Sequence, residues 1–147
     1  MNVFEALRQD HEVQRDLLDR LEDTQGAEEL RKQNYAMLKD ELSQHAAAEE
    51  KCFYAQLMSV DLTQEKARHS VAEHKDMDDL VEELSDIEYS SPQWLQKFKE
   101  LKHMVTHHLD EEEQEVFQMA GKALTDKQKE DLGKQYRNEM ERHRKAS

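Results

Sequence analysis

The chain has 147 residues, with 34 acidic against 21 basic side chains and a formal charge of −13, so its surface repels nucleic acid and anionic membranes. Three glycines and one proline leave little turn material for sheets, whereas good helix formers abound, so an all-α fold is expected. The lone Cys52 excludes an internal disulfide, the N-terminus carries no export signal, and no stretch approaches the roughly 20 apolar residues of a membrane span. One cytoplasmic domain over residues 1–147 is the resulting expectation.

Sparse punctuation divides the chain into long helices. The first is predicted from about Val3 to Thr24, with Gly26 as its left-handed cap. The second runs from about Ala27 to Met58 without a Gly or Pro. Asp61 or Thr63 opens the third, which continues to about Asp86. Ser91-Pro92 opens the fourth, ending near Ala120 with Gly121 as its cap. Thr125 and Gln128 form a capping-box pattern that starts a short fifth helix to about residue 142, followed by a frayed tail from His143. Four long helices with short connections describe an up-down-up-down bundle.

Apolar stripes at spacing three or four show what each helix turns toward the centre. The first stripe is Phe4, Leu7, His11, Gln14, Leu18 and Leu21. The second is Leu38, Leu42, His45, Glu49, Cys52 with Phe53, and Leu57. The third is Ala67, Val71, His74, Met77, Val81 and Leu84. The fourth is Trp94, Phe98, Leu101, Val105, His108, Glu112, Val116 and Met119. Each stripe is interrupted by one histidine, and two carry a glutamate four residues later. Buried unpaired carboxylates cost several kcal/mol, and no Lys or Arg lies on a stripe at this level, so a metal is the compensating charge. Residues i and i+4 share a helix face, so His45/Glu49 and His108/Glu112 can aim at one space. Four imidazoles and two carboxylates exceed one tetrahedral zinc and suit two ions sharing carboxylates, with nitrogen and oxygen donors favouring iron or manganese. A solvent-derived oxo or hydroxo bridge would still leave room on each ion for an outside ligand.

These residues resemble the hemerythrin-like HHE cation-binding family. Asp10-His11 is similar to its first-helix histidine, and His45-Ala-Ala-Ala-Glu49-Glu50-Lys-Cys-Phe53-Tyr54 resembles its H-x-x-x-E-E-x-x-F-Y segment. Glu73-His74 looks like its third-helix motif, and His107-His108-Leu-Asp-Glu-Glu112-Glu113 like its HH-x-x-E-E-E signature. The likeness covers about residues 3 to 121 and implies a non-haem di-iron site with His11, His45, His74 and His108 terminal and Glu49 and Glu112 bridging, manganese or zinc being the lesser alternatives. Ala55 and Gln118 stand where the family often has proline. A second third-helix histidine and an i+5 aspartate on the fourth helix, found in oxygen carriers, are not matched, which turns the likeness toward bacterial HHE proteins, di-iron repair proteins and an iron-sensing F-box domain.

His103, His107 and Glu111 form a rival set by spacing, but share the polar face of the fourth helix, and His69 and His143 likewise read as solvated. Met37, Met58 and Met77 read as core filler, and Tyr35, Tyr54 and His107 stay open as neighbours of the metals. The expected function is a di-iron protein that binds or reacts with dioxygen, peroxide or nitric oxide, with peroxide- or dioxygen-reducing activity an open question. An iron- or oxygen-responsive sensor, an iron storage or delivery protein, and a metal-free helical interaction bundle are the alternatives. Protein partners are left open; no nucleic acid or membrane is expected.

Overall fold

A computed structural model describes residues 1–26 and 28–146, and every regular element among them is helical. Helix α1 is Val3–Glu22. Helix α2 starts as Glu29–Glu49, widens into a π-helical segment Glu50–Tyr54, and ends with Ala55–Met58. Helix α3 is Gln64–Ser85. Helix α4 is Pro92–Glu111, continuing through a second π segment Glu112–Val116 into Phe117–Ala123. Helix α5 is Asp126–Ala146. No helix is long and apolar enough to cross a membrane.

Local chemistry sets the helix starts. Asn2 and Glu5 form a capping box on α1, the Ser91 hydroxyl accepts from the Gln93 N–H with Pro92 in the first turn, and Thr125 and Gln128 reciprocally cap α5. Gly26 takes φ 54°, the left-handed conformation that lets the chain reverse after α1. The expected start of α2 at Ala27 lies outside the described residues. Several expectations shift. Thr63 precedes α3, yet its hydroxyl bonds the Leu57 carbonyl instead of capping. Gly121 lies inside α4 rather than ending it, since right-handed helix continues to Ala123. Residues His143 to Ala146 continue α5, so this helix is longer than expected. Its basic last turn favours the negative end of the helix dipole, and Arg144 reaches Asp10 on α1.

The π segments break the uninterrupted helices that the sequence suggested. Each begins at or directly after a stripe glutamate: the N–H of Ala55 bonds the Glu50 carbonyl, and that of Phe117 bonds the Glu112 carbonyl. Through the first π segment the consecutive residues Cys52, Phe53 and Tyr54 are all buried, which adds Tyr54 to the stripe expected of an uninterrupted helix.

Helices α1 and α2 pack together, as do α3 and α4, and α5 lies against α1, α2 and the first π segment. Gly133 makes that docking close, because a Cβ there would sit 2.7 Å from the Asn2 carbonyl carbon and 2.8 Å from the Val3 nitrogen. The apolar core falls into two clusters. One gathers Leu7, Ala48, Phe53, Ala67, Val116 and Tyr136, and the other Leu18, Leu42, Met77, Trp94, Phe98 and Val105. On α1 to α3 the change of cluster falls at the stripe histidine and on α4 just after it, between Leu109 and Val116, so a polar layer crosses the bundle between two apolar ends.

Candidate metal centre

Helical register brings His11, His45, His74, His108, Glu49 and Glu112 into this layer, each at most 3% exposed. The histidines lie in two pairs, His11 with His45 and His74 with His108, at ring centroid separations of 5.2 and 4.8 Å. Each glutamate spans both pairs. Glu49 Oε2 is 3.6 Å from His45 Nε2, while its Oε1 is 3.2 Å from His74 Nε2. Glu112 Oε1 is 3.0 Å from His11 Nε2, and its Oε2 is 3.7 Å from His108 Nε2. Donor atoms of His11, His45, Glu49 and Glu112 lie within 4.8 Å of one another, as do those of Glu49, His74 and His108.

The unsatisfied atoms test whether a metal fits. His11 Nε2, His45 Nε2, His108 Nε2, both Glu49 oxygens and Glu112 Oε1 are buried without a hydrogen-bond partner in the protein. Folded proteins pair such atoms almost without exception, and here they converge on one space. Nitrogen and carboxylate oxygen, with no thiolate, form a donor set for iron, manganese or zinc.

Every outward Nδ1, in contrast, has a partner. His11 donates to Glu113 at 2.6 Å, His74 to Glu50 at 2.8 Å, and His108 to Glu73 at 2.7 Å. His45 donates to the Tyr136 oxygen at 2.5 Å, and the Tyr136 hydroxyl donates to Asp10. Such bonds orient each ring and keep the Nδ1 proton outward, so that Nε2 is the nitrogen that faces inward. The partners close a ring: Asp10, the residue before His11, holds His45 of α2 through Tyr136; Glu50 of α2 holds His74; Glu73 of α3 holds His108; Glu113 of α4 holds His11. The stripes alone did not reveal these four supports. Doubled acids in H-x-x-x-E-E were the visible signal for Glu50 and Glu113, whereas Tyr136 had none.

Protonation follows the same contacts. Burial disfavours charge on His11 and His74, but the facing carboxylates outweigh it: Glu112 and Glu113 raise His11 to about 9, and Glu49 and Glu50 raise His74 to about 10. Burial alone would raise Glu49, yet the facing imidazoles of His45 and His74 hold it well below the ordinary carboxylate range. Burial opposes charge on Glu113 too, and contact with His11 and Arg15 brings it to about 2.

Of the residues left open, Tyr54 is at the centre: fully buried, it donates to Glu112, and burial together with the carboxylates of Glu112 and Glu49 keeps its hydroxyl protonated. Tyr35 is elsewhere, donating to the Val81 carbonyl at 2.9 Å and packed edge-on against Trp94. His107 is exposed, 3.2 Å from Glu111, and His103 is exposed on the same polar face. Met77 is buried, but Met37 is 53% exposed and fills no core.

The hemerythrin HHE cation-binding domain model matches residues 2–120. The chain belongs to this family. It is therefore a metal-binding helical protein of the hemerythrin HHE type, and its His/Glu cluster lies within the matched span. The fold is shared with the crystal structure of a hemerythrin HHE cation-binding domain-containing protein from Mycobacterium kansasii, with TM-score 0.90 and 24% identity over 99% of this chain and 89% of that one. Among curated proteins no significant match is found. Tyr136, which holds His45, lies beyond the residues that the HHE model matches.

Proposed function

We propose that the polar layer holds two iron ions, one between His11 and His45 and the other between His74 and His108, with Glu49 and Glu112 common to both, and that the protein reacts with a small oxidant. The observation that carries this reading is the way each glutamate presents its two oxygens to different histidine pairs. His11 and His45 on one side and His74 and His108 on the other, with Glu49 and Glu112 between them, would hold the ions with fewer donors than an octahedral ion accepts. When bound, a di-iron pair supplies one-electron couples at adjacent ions and open positions for dioxygen, peroxide or nitric oxide.

The protein's own part is orientation, proton placement and exclusion of water. Glu50, Glu73, Glu113 and Tyr136 fix the imidazoles. Tyr54 holds a proton at its hydroxyl beside Glu112. Phe117 stacks over His11 at 6.0 Å and meets Phe53 edge-on at 5.9 Å, closing one end of the layer with apolar surface. The full chain expressed with ample iron should contain about two irons. The reduced protein mixed with dioxygen should oxidise fully without retaining it, and the oxidised protein should consume peroxide, an activity lost in Glu49→Ala. Stoichiometric zinc without iron would overturn the assignment, and dioxygen released intact under argon would restore a carrier role.

A further inference from the structure

The H-x-x-x-E spacing occurs twice more, outside the buried layer: His69/Glu73 on α3 and His107/Glu111 on α4. The fold brings the two pairs together. His69 Nε2 lies 3.3 Å from Glu73 Oε2 and 3.2 Å from Glu111 Oε1, while His107 Nε2 lies 3.2 Å from Glu111 Oε2. Donor atoms of His69, Glu73 and Glu111 fall within 4.8 Å of one another. The Glu73 and Glu111 side chains are only 18% and 15% exposed, whereas His69 and His107 are 54% and 65% exposed.

Two carboxylates thus share a partly dehydrated space, faced by the imidazoles of His69, His107 and His108. Among the described residues, no lysine or arginine forms an ion pair with either one; Lys66, beside them, pairs with Glu115 at 3.6 Å. A cleft of about 440 Å³ reaches His69 and Glu111, the acids Asp61 and Glu65 lining it beside Lys66, Leu62 and Met119, and gives a hydrated cation room to approach.

We propose that His69, Glu73, His107 and Glu111 form a second, solvent-accessible site for a divalent transition cation. One imidazole nitrogen converges with two carboxylates and no thiolate, with the His107 imidazole on the other oxygen of Glu111, and imidazole favours ions such as ferrous iron or zinc over calcium or magnesium. Glu73 links this site to the buried one, since its other oxygen accepts from His108 Nδ1 at 2.7 Å. A cation on Glu73 is therefore one carboxylate and one imidazole from the layer. His69, His107 and Glu111 take no part in holding the buried layer, so changing the two histidines tests the outer site whatever the layer holds.

Zinc is the probe, added by equilibrium dialysis to the full-length protein as purified, with iron and zinc counted in the same sample. Wild type should take up one zinc beyond its resident metal. His69→Ala/His107→Ala should bind it more than about tenfold more weakly, since loss of a donor exceeds the 10–100-fold cost of losing a donor's outer partner. His103→Ala should match wild type. In NMR titrations the ring signals of His69 and His107 should move with zinc while that of His103 stays. Equal zinc uptake by wild type and the double variant, or none in either, overturns the proposal. Absence of iron from the purified wild type would instead count against the di-iron reading, and the zinc comparison would still decide this one.

Discussion

The buried and outer H-x-x-x-E pairs use the same residues at the same spacing and differ by one position along α4, His107 against His108 and Glu111 against Glu112. On the inner face the pair is shut away from water between two apolar clusters, and its carboxylates face imidazoles. On the outer face the histidines are hydrated and the carboxylates half-shielded. Spacing makes a donor pair; helix register decides how strongly it must be compensated. An unpaired charge on the inner face costs several kcal/mol, while an exposed pair is worth little.

Adjacent substitutions break the comparison most sharply. His108→Ala should lose resident metal, and with it the stabilisation of about 4 kcal/mol that a ligand at a thousandfold excess over Kd confers on the native state. His107→Ala should stay within about 0.5 kcal/mol of wild type and keep the buried metal. Metal analysis and thermal unfolding of the two variants check both; the reverse result would mean that α4 presents its other face.

Metal removal should expose the protons held by the layer. In the chelated protein His11 and His74 are raised to about 9 and 10 from 6.5, so their contribution is complete below about pH 6.5 and is lost as pH rises through 9 to 10. Glu49 and Glu113 are lowered, so theirs is present above about 4.5 and is lost as pH falls. The chelated protein should therefore melt highest near pH 5 to 6, and the rise in Tm on adding iron should be larger at pH 8 than at pH 5, where protons compete for the same nitrogens. Melting curves across pH with and without chelator check this.

Tyr136→Phe keeps the ring and removes the acceptor for His45 Nδ1. Metal affinity should fall about 10–100-fold in competition with a chelator while the helical circular dichroism is retained. A smaller effect is expected at Gly133→Ala, whose new methyl meets the backbone of Asn2 and Val3. Overpacking of this kind costs about 1–3 kcal/mol, and faster hydrogen exchange in α5 than in α3 would place the damage at the docking of α5.

Much of the centre was legible because helical periodicity converts sequence into faces. An otherwise apolar stripe that carries histidine and, four residues on, glutamate leaves few compensating groups except a cation. The π segments were not legible, since nothing in Glu50–Tyr54 or Glu112–Val116 departs from ordinary helix-forming composition and the added residue per turn is chosen by packing.

What the sequence by itself determined is which histidines and glutamates face the buried layer, because burial and the 3.6-residue period act along one chain segment at a time. Which imidazole shares which carboxylate, the ring in which each helix steadies a histidine of another, the reach of Tyr136 from α5 to His45, and the meeting of His69 with Glu111 all required the tertiary structure. Those are distances between segments up to 126 residues apart, as for Asp10 and Tyr136, and no local spacing encodes them.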